Sequence, residues 1–577
     1  MHKSIQNKIL SFLDKDLKHK SIKLFILMIL AALAELFSLS LLLVILNFFL
    51  SSNFETHYSS ILIILENLPF FEEENLLIYF LGIFFFIFTL KITILIIYSW
   101  VESKFLAEFK QKISDSLFKN FLYRDTFELL KKNSSEYLRN FTSEIEQTTH
   151  FYNSLFKLTL DLIVLFAIFS FLVFFNPIIS ISVAGIFLAL SFSYLFFVKN
   201  LILDWGIKSL KSKKLGIQYI SESFSAIKYI KMLSREDYFY KKFVSENAVL
   251  ARIKFKMSFL NSLPRNVFEF VLFITILLLI LYLFNNNYSL NEIIKISSVY
   301  IITAFRLIPS ANRILANIQT LRFSYPSFLK IYKERQIEPI KKKKNIEKFT
   351  FKNLIKIEVG SYFYNKKNKF KLKNIKLNIW KKSKIGIIGA SGSGKSTLIN
   401  IICGLTKSKS SRIIVDNKKI YENLEGWQSI VGYIPQKIII LNATLRENIL
   451  FGLKNKKISD KQILEIIKKS NLYNFYKKQK KGLDQMIKEE GINISGGEIQ
   501  RIGIARALIN EPEIILLDES TSALDTFTEN KILKEIELLK KTTIFVSHRL
   551  NSLKFCNKIY GINNSTLKEI KNIKKYK

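Results

Sequence analysis

The stretch Lys384-Ile-Gly-Ile-Ile-Gly389-Ala-Ser-Gly-Ser-Gly-Lys-Ser-Thr397 decides what the second half of this chain is. Its apolar residues, then a glycine-rich turn, then an apolar run to Leu405, read as a buried strand, a loop and a helix. In that context the spacing G-x-x-x-x-G-K-S builds a phosphate cradle. Gly389, Ser391, Gly392 and Gly394 let backbone N–H groups wrap phosphates at a helix N-terminus. Lys395 reaches the β- and γ-phosphates, and Ser396 supplies a Mg²⁺ ligand, with Thr397 beside it in the first helical turn. A nucleotide site is expected here.

Working outward, Ile514-Ile-Leu-Leu517 reads as a second buried strand ending in Asp518-Glu519. An Asp at the C-terminal end of a parallel strand holds Mg²⁺, and the adjacent Glu polarises an attacking water as general base. Between the two strands lies Ile494-Ser495-Gly496-Gly497-Glu498-Ile499-Gln500-Arg501, where a serine hydroxyl and glycine amides at a helix start form another anion site. One chain thus carries two phosphate-binding half-sites. Upstream, past Tyr332, a basic linker through Lys341–Lys344 leads into short β-branched runs alternating with helical stretches, an α/β pattern.

The first 310 positions are different. The chain has 577 residues, 49% hydrophobic and 23% charged, yet its mean hydropathy is +0.19, so apolar and charged residues must be segregated. Runs long enough for a ~30 Å hydrocarbon core occur at Leu24–Leu50, Leu76–Trp100, Leu158–Phe175, Ile178–Val198, Val267–Phe284 and Ile293–Pro309. Six spans are expected, with no cleavable signal peptide ahead of them. Six Lys precede the first span, Lys199–Lys256 holds thirteen Lys and Arg, and Ser51–Asn75 has none but five Glu. Both termini and both long connections, Val101–Lys157 and Lys199–Leu263, are therefore expected in the cytoplasm. These connections are polar and helix-periodic, so the spans should continue as helices and fold back at Tyr123–Phe127 and Ser221–Ile230.

Composition also excludes classes. The net charge of +39 comes without an Arg-rich run interleaved with aromatics, so no nucleic-acid partner is expected. Two cysteines, Cys403 and Cys556, exclude a disulfide-stapled secreted scaffold. Inside the spans, Glu35, Lys91, Asp161, Glu269 and Arg306 require partners or a function, since a charge at the bilayer centre costs at least ~2.5 kcal/mol. Glu35 with Lys91 is readable as a structural pair. Arg265, Arg306 and Arg313 are readable as the lining of a cavity for an anionic head group, because a guanidinium fork matches phosphate oxygens.

The order and spacing of these motifs resemble the ATP-binding cassette (ABC) transporters of the exporter type along the whole chain. The resemblance implies an α-helical six-span transmembrane domain of the type IV exporter fold over residues 1–334, a linker over 335–350, and an α/β P-loop ABC nucleotide-binding domain over 351–577. It further implies ATP and Mg²⁺ as ligands and a homodimer, in which each ATP lies between the P-loop of one subunit and the Ser495, Gly496 and Gly497 signature of the other. Carried over by position, Tyr364 stacks on adenine, with Tyr362 a competing choice. Gln436 senses Mg²⁺ and γ-phosphate, Asp525 belongs to the D-loop, and Glu519 and His548 act in hydrolysis. The signature has Glu498 where Gln is usual, and Lys488-Glu489-Glu490-Gly491 resembles the exporter X-loop with Lys488 in place of Gly.

Within that family, Thr303-Ala-Phe-Arg-Leu-Ile-Pro-Ser-Ala-Asn-Arg-Ile314, with Pro264-Arg265, resembles the PglK-type flippases of lipid-linked oligosaccharides and the related Wzk O-antigen flippases. That resemblance implies a polyprenyl-pyrophosphate-linked glycan as cargo. Ser51–Asn75 resembles their short external helix. Two rivals stay open: an exporter of lipid, drug or peptide, and an ATP-gated channel. The segment ahead of the first span leaves no room for a protease domain, so peptidase-coupled export is not expected.

Overall fold

The computed structural model describes residues 2–50, 76–130, 133–175, 177–337, 349–363, 372–406, 410–453, 458–487, 494–519, 526–547 and 550–570. The chain divides into two compact units, residues 1–124 with 131–339, and residues 340–577 with the short segment 125–130.

The first unit is helical: α1 His2–Phe12, α2 Lys15–Leu50, α3 Leu76–Leu122, α4 Thr126–Leu130 (which groups with the second unit), α5 Ser134–Arg139, α6 Ile145–Phe175, α7 Pro177–Ser225, α8 Ile227–Met232, α9 Glu236–Asn285 and α10 Leu290–Arg335. Six of these helices are long and apolar enough to cross a membrane. The helices α3, α7, α9 and α10 have 47, 49, 50 and 46 residues, about 70 Å each at 1.5 Å per residue. That is more than twice a ~30 Å hydrocarbon core, so each continues well past its span.

Two details differ from the sequence reading. The helix α10 does not stop at Pro309 but runs through Pro309 and Pro326 to Arg335; a proline removes a single N–H, and packed neighbours keep such a helix intact. The second hairpin reverses later than Ser221. Its helix α7 persists through Ser225, because nothing in Ser221–Ser225 breaks it, and the turn completes at Ser234 with φ 50°.

Aromatic packing holds the polar extensions together. Phe12, Phe109, Tyr152 and Phe328 are buried in one cluster drawn from α1, α3, α6 and α10. Phe109 and Tyr152 have ring centroids 4.3 Å apart, and the Tyr152 hydroxyl donates to the Ile9 carbonyl at 2.8 Å, which satisfies a buried polar tip. Ion pairs fasten the foot of α10: Arg124 Nη1 meets Glu334 Oε2 at 2.9 Å, and Glu136 accepts from Lys330. Within the spans, Lys91 Nζ and Glu35 Oε2 are 2.7 Å apart and buried. This is the structural pair that the charges suggest.

The helices α7 and α10 approach so closely at Gly206 that an added Cβ would lie 2.4 Å from the Phe323 carbonyl oxygen. Backbone cannot step aside as a flexible side chain does. We expect Gly206→Val to cost about 1–3 kcal/mol of stability, read as a lower thermal midpoint of the full-length protein in detergent; an unchanged midpoint would show that the two helices separate freely.

The second unit is α/β. An antiparallel sheet has the order β2-β1-β4-β5, with β1 Leu354–Tyr362, β2 Leu372–Trp380, β4 Ser411–Val415 and β5 Lys418–Lys419. A six-stranded sheet has the order β12-β11-β3-β10-β9-β6. Its strands are β3 Lys384–Gly389, β6 Val431–Ile434, β9 Ile514–Asp518, β10 Thr542–Val546, β11 Lys558–Asn563 and β12 Thr566–Glu569, while β7 Ala443–Thr444 and β8 Met486–Ile487 pair with each other in a separate two-stranded sheet. From β11 to β6 the pairing is parallel. Every residue of β9 and β10 is buried, as expected for strands covered on both faces. Because Val546 pairs with both Ile387 and Asp518, the C-terminal ends of β3, β10 and β9 lie side by side, where open parallel sheets bind ligands.

Candidate nucleotide site

The site is assembled at that edge. After β3, the chain turns through Gly392 (φ 77°) and Gly394 (φ 107°) into helix α11, Lys395–Ile402, conformations open to glycine but strained for residues with a Cβ. Gly389 is confined as well, since a Cβ there would meet the Ile562 carbonyl oxygen and Ser393 Oγ at 2.7 Å. Lys395 is buried and donates from Nζ to the carbonyls of Gly389 (2.9 Å) and Ala390 (3.0 Å). Ser391 is exposed on the loop, while Thr397 is buried behind it.

From the neighbouring strand, Asp518 Oδ1 accepts from Ser396 Oγ at 3.4 Å. Glu519 follows in a left-handed conformation, φ 49°, with its N–H bonded to the Val546 carbonyl at 3.0 Å. A non-glycine residue held there is a constraint that the surrounding structure must impose. It presents the carboxylate to Lys395 Nζ at 3.7 Å and to Gln436 Nε2, from the loop after β6, at 2.9 Å. Five of the sequence-derived residues, Lys395, Ser396, Gln436, Asp518 and Glu519, therefore meet in space.

Burial, joined by the Glu519 charge, pushes the Asp518 carboxyl above its ordinary range, against the opposing pull of Ser396 and Lys395. A buried carboxylate beside a hydroxyl is an oxygen donor set that fits Mg²⁺, an ion that takes one or two protein carboxylates and completes its shell with water and phosphate oxygens. Among the described residues no group of three or more His, Cys, Asp or Glu could hold a metal by itself. A carboxyl whose folded value is raised lends stability below that value and loses it as pH rises through it. We therefore expect Asp518→Asn to raise the thermal midpoint of cation-free protein near neutral pH by a few degrees, and to abolish Mg²⁺-dependent ATP turnover. A lowered midpoint would show that Asp518 is a structural anchor instead.

Ser495, Gly496 and Gly497 form a separate station at the start of α16, Gly496–Leu508, numbered after α12 Leu424–Ser429, α13 Leu445–Leu450, α14 Asp460–Lys469 and α15 Tyr473–Lys477. Ser495 caps α16: its Oγ accepts the Glu498 N–H at 3.3 Å, and its own N–H donates to Glu498 Oε2 at 2.8 Å. The Glu that replaces the usual Gln thus closes a reciprocal capping box. The S-x-x-E spacing carries that signal in the sequence.

Tyr364, Asp525, His548 and Lys488–Gly491 lie outside the described residues, as does Ser51–Asn75. Tyr362, the alternative to Tyr364, is buried in the core of the second unit as the last residue of β1, so its ring is not displayed for stacking on a base. Burial pushes the Cys556 thiol up to about 12 and raises Cys403 as well, which keeps both protonated and unreactive near neutral pH; both are free.

Two of the three arginines suggested for the path, Arg265 and Arg313, have partners that the sequence did not pair. Arg265 Nε donates to Glu269 Oε1 at 2.8 Å, one turn along α9. Arg313 Nε donates to the buried Asp161 Oδ1 at 2.8 Å and its Nη2 to Ser310 Oγ at 2.9 Å, while 55% of its side chain stays exposed. Arg306 lies on α10, with its side chain outside the described ones. The separation of Asp161 from Arg313 in sequence hides their contact; only the packing of α6 on α10 reveals it.

Comparison with known proteins agrees with both halves. Residues 21–306 match the ABC transporter transmembrane region, and residues 372–522 match the ABC transporter model. The chain is similar to the uncharacterized ABC transporter ATP-binding protein YfiB of Bacillus subtilis, 29% identical over 58% of either chain. It is 32% identical, over 60% of this chain and 50% of the relative, to the lactococcin-G-processing and transport ATP-binding protein LagD of Lactococcus lactis. To a putative multidrug export ATP-binding/permease protein of Staphylococcus aureus it is 37% identical over 37% of either chain. The chain thus spans from about a third to just over half of the length of these relatives. A bacterial Atm1-family ABC exporter with ATP bound has the same fold, with a TM-score of 0.77 at 17% identity over 96% of this chain and 95% of that one. With six membrane-length helices followed by a P-loop cassette, the chain belongs to the ABC transporters and has the organisation of an exporter-type half transporter.

Proposed function

We propose that this chain is one subunit of an ATP-driven homodimeric flippase that moves a polyprenyl-pyrophosphate-linked oligosaccharide across a bacterial inner membrane by alternating access, with both termini in the cytoplasm. In each cassette, Lys395 meets the β- and γ-phosphates, Ser396, Gln436 and Asp518 would hold Mg²⁺, and Glu519 takes the proton of the attacking water, with His548 beside the γ-phosphate. A bound magnesium ion would neutralise charge developing on the phosphates. Tyr364 stacks on adenine, and Ser495, Gly496, Gly497 and Asp525 close the site from the partner subunit. ATP binding draws the cassettes together, hydrolysis releases them, and the hairpin tips pass that motion to the spans.

For the cargo, one observation carries the reading: Asp161 and Ser310 hold the Arg313 guanidinium in one orientation while leaving it open. A fixed, exposed guanidinium suits a pyrophosphate. The test is translocation of a tritiated polyprenyl-pyrophosphate glycan in proteoliposomes, comparing wild type with Glu519→Gln and Arg306→Ala. Both variants should lose flipping, and Arg306→Ala should retain ATPase.

The second reading is export of a drug or peptide, favoured by the relatives named for multidrug export and for lactococcin G. It predicts an ATPase-active protein that never moves the glycolipid and whose transport survives neutralising Arg265, Arg306 and Arg313.

A further inference from the structure

A cavity of about 200 Å³ lies between α6, α7, α9 and α10, inside segments of membrane-crossing length. Its wall is largely carbon, from Phe169 on α6, Phe187 on α7, Leu272 on α9, and Ala304 and Ile308 on α10. The hydroxyls that border it are spent within the protein. Ser180 donates to the Leu172 carbonyl at 2.8 Å, Ser191 to Phe187 at 2.7 Å, Thr275 to Leu272 at 2.8 Å and Thr303 to Val299 at 2.8 Å, and the Tyr300 hydroxyl lies 3.1 Å from Ser180 Oγ. No bordering hydroxyl is left asking for a polar ligand. Along α7 the lining extends from Ser180 to Ser191, about 16 Å at 1.5 Å per residue. Those proportions are those of a hydrocarbon chain rather than of a compact ring system.

One turn from the lining residue Leu165, on the same face of α6, stands Asp161. It is buried and accepts from Arg313 Nε at 2.8 Å and from Asn317 Nδ2 at 3.5 Å. Lys157, a further turn along α6, is exposed and within electrostatic reach of Asp161. Two exposed cations on neighbouring helices, one of them oriented by a buried carboxylate, therefore stand beyond one end of an apolar slot.

We propose that the slot and these cations form one amphiphile site, in which a hydrocarbon chain occupies the slot and the phosphate at its head meets Arg313 and Lys157. The proposal rests on the flippase reading for its role in transport, and it deepens that reading by seating the lipid chain inside a single subunit. Asp161 is a positioning residue: it holds Arg313 and does not itself touch the lipid. A polyprenyl carrier and a resident anionic phospholipid share this chemistry, a phosphate on a chain.

The test uses full-length protein in proteoliposomes with trace photoactivatable probes carrying a diazirine in the chain: a polyprenyl phosphate, a phosphatidylglycerol and an uncharged diacylglycerol. Label from the phosphate probes should concentrate in residues 165–172, 180–191, 272–279 and 300–311, about tenfold above the neutral probe. Ala184→Phe, which fills the slot wall, should remove that excess for both phosphate probes; Arg313→Gln should remove it while neutral labelling stays as in wild type. Whichever phosphate probe labels more strongly names the source of the lipid. Label spread evenly over lipid-exposed positions such as Phe174 and Phe192, or equal labelling by the neutral probe, overturns the site, and wild-type protein alone decides this. Glycolipid flipping without slot labelling sinks the site only, whereas slot labelling without flipping sinks the flippase reading only.

Discussion

Glu519→Gln should stop ATP turnover while leaving nucleotide bound. The substitution keeps the shape of the side chain and its contact with Gln436, which lies 2.9 Å from Glu519 Oε2, but removes the basic oxygen that would accept a proton from water. General-base catalysis contributes on the order of 10²–10⁴-fold, so steady-state ATPase should fall by that factor. Glu519 also holds φ 49° through the bond of its N–H to Val546, and Gln inherits that main-chain constraint. A steady-state ATPase assay alongside equilibrium ATP binding separates the outcomes: lost turnover with retained binding supports the proton-accepting role, whereas activity within a few-fold of wild type assigns the base elsewhere.

Lys395→Ala should fail earlier, at binding. The ammonium group is bonded to the carbonyls of Gly389 and Ala390 and lies 3.7 Å from Glu519 Oε1, so it ties the two ends of the phosphate loop together besides offering its charge. Removing one preorganised donor from a phosphate site costs about 10²–10³-fold in rate, and here the loop loses its internal fastener as well. ATP affinity and turnover should both drop, and amide hydrogen exchange over residues 389–397 should quicken. Unchanged exchange with weakened binding would assign Lys395 to charge alone.

These two expectations, with the lower stability of Gly206→Val and the higher midpoint of cation-free Asp518→Asn, probe different links. Gly206 tests helix packing; Asp518 tests whether a carboxylate kept out of water is reserved for a cation. Asp161 with Arg313 belongs beside them. A charge inside a membrane unit looks functional when read alone, but Glu35 with Lys91 closes into a buried pair 2.7 Å apart, whereas Arg313 is paired and still open to a ligand.

Features that depend on contiguous residues are legible along the chain. Six apolar runs demand six helices in hydrocarbon, where each backbone group must be satisfied within its own segment. The run Lys384–Thr397 demands strand, loop and helix, since its glycines and apolar residues are local requirements. Which distant groups meet is set by how the helices and strands pack. Periodicity gives the face on which Asp161, Arg313 or Glu334 sits, but not the helix that face will touch, because neighbours are chosen by how long side chains and close approaches such as Gly206 on Phe323 pack. The same holds for Tyr362, which a motif can offer to adenine but which the pairing of β1 with β2 and β4 turns into the core. The contact of Gln436 with Glu519 likewise exists only because parallel pairing places β6 beside β9.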